Sequence, residues 1–254
     1  MTKKDVAAGL SSTILLVFLW RIAAESINSP FILPDPVSVV YDFFIILRDT
    51  LFIKNIVATC TRGVAAFGIS FILSAMLGIM SGISKTIASA ISPWMTLIKS
   101  TPVVSFILIA LLWFGSSIVP IFVSVLMTLP VMTEAIAQGV RSTDTKLLEM
   151  SYVYQFSSFK RLLYIRIPSA LPFFLAGSGS SLGLTWKVVV AGEILSSPRF
   201  GIGSAMQSAK VQLETVRVFS LTATAIFLSL ITDFLFQKLV EVTRRHETDK
   251  EPGK

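Results

Sequence analysis

The sequence predicts an all-α protein of membrane-spanning helices, and three observations carry that prediction. Apolar residues fill 53% of the 254 positions and charged residues only 15%, where an ordinary globular domain carries about 25% charged. The mean hydropathy is +0.76. The charges gather between long apolar runs, each close to the roughly 20 residues that a helix needs to cross about 30 Å of hydrocarbon. These runs read as the spans of a polytopic helical membrane protein. Six are expected, at about 10–24, 64–83, 95–114, 118–136, 171–190 and 218–236.

The net charge of +7 does not point to nucleic acid. Its basic residues cluster between spans and in the tails, where orientation and anionic lipid account for them. Cys60 is the single cysteine and His246 the single histidine. An intramolecular disulfide is therefore impossible, and Cys/His metal sites and histidine catalysis are not expected. No small-residue cleavage site follows Trp20-Arg21, so the N-terminal run reads as an uncleaved first span rather than a signal peptide.

Lys3 and Lys4 precede the first span and Trp20 lies near its far end, which places the N-terminus in the cytoplasm. Asp35-Pro36 then makes an N-cap and first turn. The helix it starts carries Ser38, Asp42 and Asp49 on one face, so it is expected along the outer membrane surface. In the second span Ser70, Ser74, Gly78 and Gly82 recur every four residues, a spacing that lets another helix approach closely. Ser92-Pro93 is expected to start the third span, which Pro102 should kink or break. A break at membrane depth is tolerated where protein or a water-filled cavity covers it; Pro102 is thus a pathway candidate as well as a plain kink. Glu134 and Asp233 are placed near the cytoplasmic ends of the fourth and sixth spans, with Lys99 or Lys238 as partners. The stretch after Glu193, LSSPRFGIGSAMQSAKVQLET, is polar and Gly-rich and reads as an outer loop. Six spans leave both ends cytoplasmic, including a charged tail at 240–254 that holds Arg244, Arg245, Lys250 and Lys254.

Between the fourth and fifth spans the region 141–168 carries Arg141, Lys146, Lys160, Arg161 and Arg166 against Asp144 and Glu149. Thr143 or Asp144 can cap one short helix and Ser157 or Ser158 a second, which Pro168 should end. An ordinary basic loop on the headgroups is the bland alternative.

Here the residues carry a resemblance. Permease subunits of bacterial ABC importers have a cytoplasmic signature of Glu-Ala-Ala, three residues, Gly, nine residues, Ile, one residue and Leu-Pro. This chain has Glu149-Met150-Ser151, three residues, Gln155, nine residues, Ile165, one residue and Ile167-Pro168. Tyr152 and Tyr154 stand between. Gln155 replaces the glycine, which predicts a different turn, because a Cβ resists the positive φ that glycine permits. LPDPVSVV, LLWFG, RSTDTKLLEMS and VVVAGEILSSPRFGIG extend the resemblance to the nitrate/sulfonate/taurine class.

That resemblance implies a type I ABC importer permease fold of six transmembrane helices with a cytoplasmic coupling helix. It implies a homodimer in the bacterial inner membrane, two ATPase subunits on the coupling helices and an extracytoplasmic solute-binding protein. ATP and Mg would belong to the ATPases; the chain itself has no GxxxxGK[ST] loop. The ATPase-coupling residues would be Glu149, Met150, Ser151, Tyr152, Tyr154, Gln155, Ile165, Ile167 and Pro168. The solute would be small and anionic: nitrate, a sulfonate, bicarbonate or a vitamin-precursor-like molecule.

Along the pathway, Lys187 either snorkels to the surface or faces the dimer axis and attracts the anion, with Ser178, Ser181 and Thr185 lining the route. Glu193, just after the fifth span, joins the pathway candidates, its role open between capping, packing and gating. An ion-gradient-driven secondary transporter or channel is the alternative function, though no acidic residue lies mid-span and no internal repeat is visible. A membrane-embedded enzyme lacks its constellation of His, Asp or Cys.

Overall fold

A computed structural model of the chain describes residues 3–248, and those residues form helices and short connections without a strand. In order these are α1 (Lys3–Ile27), α2 (Pro36–Ile46), α3 (Thr50–Ile83), α4 (Lys85–Ser100), α5 (Val103–Trp113) and α6 (Val119–Arg141). Then come α7 (Thr145–Val153), α8 (Ser158–Arg161), a π-helical turn (Leu162–Arg166), α9 (Ile167–Ser196), α10 (Ile202–Val211) and α11 (Thr215–Thr248). Among the described residues, Thr50–Ile83, Val119–Arg141, Ser158–Ser196 and Thr215–Glu241 are long and apolar enough to cross a membrane, and α4 with α5 makes a fifth such stretch if a bent pair is one span. The first expected span, 10–24, falls within α1. Lys250 and Lys254 of the expected tail lie outside the described residues.

Capping residues set several of the starts. Asp35 accepts from the Val37 amide, Asp49 from Leu51, Ser84 from Ile87, Asp144 from Lys146 and Ser157 from Lys160. Each supplies an acceptor for an amide that has no intrahelical partner. Asp49 is thus the cap of α3, not a member of the polar face of α2, which ends at Ile46.

Pro102 does break its helix. Thr101 before it is pushed to an extended ψ of 131°, as the clash with a proline ring demands, and α4 meets α5 at 100°. Pro93, expected to start the third span, lies instead inside α4. The expected outer loop after Glu193 also holds a helix, α10, whose first residues Ile202 and Gly203 are buried. Local polarity concealed it, because its apolar contacts come from Ile46, Phe52 and Leu221 on other elements.

At the centre, α6 packs between α3 and α9, with 50% of its apolar stretch buried inside the chain against 17% for α11. Lipid supplies no hydrophobic drive, so this contact rests on close van der Waals approach and hydrogen bonds. A Cβ on Gly78 would stand 2.6 Å from Ile136 Cβ, and one on Gly177 2.5 Å from Ala135 Cβ. Hydroxyls join the same helices: Ser70 and Thr128 lie 2.6 Å apart, Ser74 donates to the Leu129 carbonyl at 3.2 Å, and Ser124 to that of Thr185 at 3.5 Å. Farther along, Ile107, Ala110, Val119, Val123 and Val188 close α5 against α6 and α9. By contrast, Phe227, Leu230, Ile231 and Phe234 on α11 face outward, as lipid-facing residues would.

Candidate functional site

The elbow between α6 and α9 is built from short-range hydrogen bonds. Thr143 Oγ1 donates to the Val140 carbonyl at 2.9 Å as α6 ends, and Asp144 then caps α7 at 2.8 Å. The α7 helix closes with the Phe156 amide on the Ser151 carbonyl at 2.9 Å and the Gln155 amide on that of Tyr152 at 3.0 Å. That pair of bonds is a Schellman motif, which needs a left-handed residue after the helix. Gln155 supplies it, with φ 52°. The different turn expected at Gln155 is therefore not found: two backbone bonds hold the conformation against a local cost of about 1–2 kcal/mol for an L-residue.

Pro168 does not end the second helix. The chain leaves α8 through the π-helical turn, the Ile167 amide reaching back to the Leu162 carbonyl, and Pro168 enters the first turn of α9. There its missing amide and preset φ are tolerated. Ser151 and Ile165 are buried, whereas Glu149, Met150, Ile167 and Pro168 are exposed. Tyr152, Val153, Tyr154 and Phe159 are at least 64% exposed. The Arg161 guanidinium lies 4.1 Å from the centre of the Tyr152 ring, a cation–π contact that steadies one aromatic from within the elbow.

A second assembly lies at the other end of α9. Glu193 is wholly buried, and Arg62 Nη1 from α3 meets its Oε1 at 2.5 Å. Thr59 Oγ1 stands 2.9 and 3.0 Å from the two carboxylate oxygens, and the Gly203 amide donates to Oε2 at 3.0 Å. Arg62 also donates to the carbonyls of Phe200 and Ser117, at 2.8 and 3.3 Å. Asn55 Oδ1 accepts from the Gly201 amide at 3.0 Å. A buried carboxylate is tolerable only when paired and hydrogen-bonded, and here both conditions are met. The same contacts explain the two glycines of GIG. A Cβ on Gly201 would lie 2.6 Å from the Glu193 carboxyl carbon, and one on Gly203 2.6 Å from Glu193 Cβ.

Residues 74–245 match the model of the family described as binding-protein-dependent transport system inner membrane component. The chain belongs to this family. The permease is 28% identical to the taurine transport system permease protein TauC of Escherichia coli over 80% of its length and 75% of that protein. It is 29% identical to the formylaminopyrimidine transport permease protein ThiX of Halalkalibacterium halodurans, over 82% of each chain. It is 28% identical to the riboflavin transport system permease protein RibX of Chloroflexus aurantiacus, over 91% of its length and 85% of that protein. A crystal structure of an amino acid ABC transporter with histidines superposes with a TM-score of 0.61 at 18% identity, covering 77% of the permease and 94% of that chain. The permease accordingly has the ABC importer permease fold and falls in the nitrate/sulfonate/taurine class.

The pathway candidates do not come together in this permease subunit. Pro102 stands at the bend between α4 and α5. Ser178, Ser181 and Thr185 are buried; Thr185 Oγ1 bonds the Ser181 carbonyl at 2.9 Å, while Ser178 Oγ and Ser181 Oγ lack a partner. Lys187 lies on the exposed side of α9, roughly half a turn away from Ser178 at 3.6 residues per turn. Glu193 belongs to the buried assembly. Of the expected ion pairs, Lys99 with Glu134 forms. Asp233 instead accepts from Gln237 at 2.8 Å, and Lys238 Nζ sits 4.7 Å from the centre of the Phe234 ring.

The reading by sequence missed Arg62, Thr59 and Asn55 because the second span was expected to start at 64, beyond them. An arginine three residues after a threonine inside a helical run was the available signal, since an ionisable group near membrane depth asks for a partner.

Proposed function

We propose that this chain and a second copy of itself form the solute pathway of an ABC importer in the bacterial cytoplasmic membrane. Each copy crosses six times, with α1 as the first span, α4–α5 as the third and both termini in the cytoplasm. Two ATPase subunits, which carry the ATP and Mg, dock on the elbow from α7 to the π-helical turn. A solute-binding protein delivers cargo at the opposite face. The observation that carries this reading is the uncovered row Tyr152, Val153, Tyr154 and Phe159 beside Glu149. Tyr152 on α7, Tyr154 just past its end and Phe159 on α8 are large exposed aromatics, and aromatic side chains are frequent anchors of protein interfaces. Closure of the ATPases would move the elbows as rigid bodies and so alternate access to the pathway.

The solute in this reading is a small anion of sulfonate type. A relative named for taurine, a sulfonate, supports that reading, and Lys187 on the exposed side of α9 offers a positive charge to the dimer axis. The test is coexpression with an ATPase subunit and reconstitution with the binding protein. A stoichiometric ATPase should remain bound in detergent, and sulfonate uptake should need ATP and resist ionophores. Uptake driven by an ion gradient without ATP would overturn the reading in favour of a secondary transporter.

A further inference from the structure

The two short helices of the elbow belong to different spans. The first, α7, follows the end of α6, whereas α8 runs through the π-helical turn into α9, and the chain turns between them at the left-handed Gln155. Arg161, the last residue of α8, reaches back across that turn. Its guanidinium carbon lies 4.1 Å from the centre of the Tyr152 ring on α7, and its Nη2 donates to Ser158 Oγ at 3.1 Å. Nη1 is buried, and among the described residues it has no acceptor. A charged N–H turned from water without an acceptor is costly. The negative face of the ring is therefore the main compensation of this guanidinium, and a cation–π contact gains strength when its cation is desolvated.

Tyr152 nevertheless stays 64% exposed, so the contact holds the ring without covering it. A side chain free to change rotamer loses that freedom when a partner closes on it, whereas one already held does not. In sequence, Arg161 falls in the nine-residue gap between Gln155 and Ile165, where the family signature specifies no residue.

We propose that Arg161 is a positioning residue for ATPase docking: it holds the Tyr152 ring, from the far side of the Gln155 turn, in the orientation that the ATPase receives, and it acts on docking through Tyr152. The inference rests on the reading of the elbow as the ATPase docking surface.

The test uses the complex of the permease with its coexpressed ATPase in lipid nanodiscs and reads the rate at which the ATPase is released on dilution. Arg161→Gln should speed release about two- to fivefold. Arg161→Lys should fall between that variant and the wild type, since it keeps the charge but not the planar group that stacks on a ring. Tyr152→Leu should speed release more than Arg161→Gln, because the anchor itself is gone. Adding Arg161→Gln to Tyr152→Leu should then change nothing further, whereas adding it to Tyr152→Phe, which keeps a ring face, should still speed release. Losses that multiply when Arg161→Gln is combined with Tyr152→Leu would overturn the positioning role, as would wild-type release from Arg161→Gln beside faster release from Tyr152→Leu; either result leaves the docking reading standing. Wild-type release from Tyr152→Leu would strike that ring from the docking surface, and the role of Arg161 with it.

Discussion

Arg62 and Glu193 face each other at 2.5 Å inside the chain, one from α3 and the other from α9. With Thr59, Gly203 and the Phe200 carbonyl they close a network that fixes the segment leading into α10. Removing one member leaves the other as a buried, unpaired charge. Glu193→Leu or Arg62→Met should each cost about 3–5 kcal/mol of stability, and the double variant much less than the sum. Thermal unfolding of the four proteins in detergent checks this; additive losses would show that the two groups act independently.

Gln155 holds a left-handed conformation at φ 52°. Gln155→Gly should leave the elbow intact and stabilise it by about 0.5–1 kcal/mol, the relief of the Cβ penalty less the added freedom of the unfolded glycine. Gln155→Val should destabilise it. Hydrogen exchange at the Phe156 amide, which bonds Ser151, reports both directions; a slower exchange in the valine variant would contradict the assignment.

Gly78 and Gly183 have the same side chain and opposite surroundings. A Cβ at Gly78 would meet Ile136 at 2.6 Å, whereas one at Gly183 meets nothing within 4 Å. Gly78→Ala should therefore cost about 1–3 kcal/mol through overpacking, and Gly183→Ala should leave the subunit's own stability close to unchanged. Unfolding midpoints of the two variants side by side decide it.

Glu149 is exposed on α7 beside the aromatic row. Glu149→Lys should leave the permease folded and reduce both ATPase retention and transport, as expected when a charge at an interface is reversed. Transport at the wild-type rate in reconstituted vesicles would remove Glu149 from the docking surface.

Lys187, exposed on α9, is expected to act on the charge of the solute rather than on the fold. Lys187→Ala should lower uptake of an anion more than uptake of a neutral analogue of similar size. Equal losses for both would assign Lys187 to the membrane surface.

Legible in the chain alone are the all-helical membrane class, the neighbourhood of the spans, the cap at Asp35, a kink or break at Pro102 and the elbow that carries the family signature, with two candidates for each of the elbow's caps. All of these follow from neighbours in the chain: apolar run length, a cap within three residues, a proline ring against the residue before it. Tertiary structure alone decided the rest. It placed Arg62 on Glu193, 131 residues apart, and it folded a polar segment into α10 by lending it apolar partners from α2, α3 and α11. It turned Ser178, Ser181 and Thr185 inward and Lys187 outward on one helix. Local rules rank what a residue prefers by itself, whereas a buried charge persists because groups distant in the chain make its alternatives costlier.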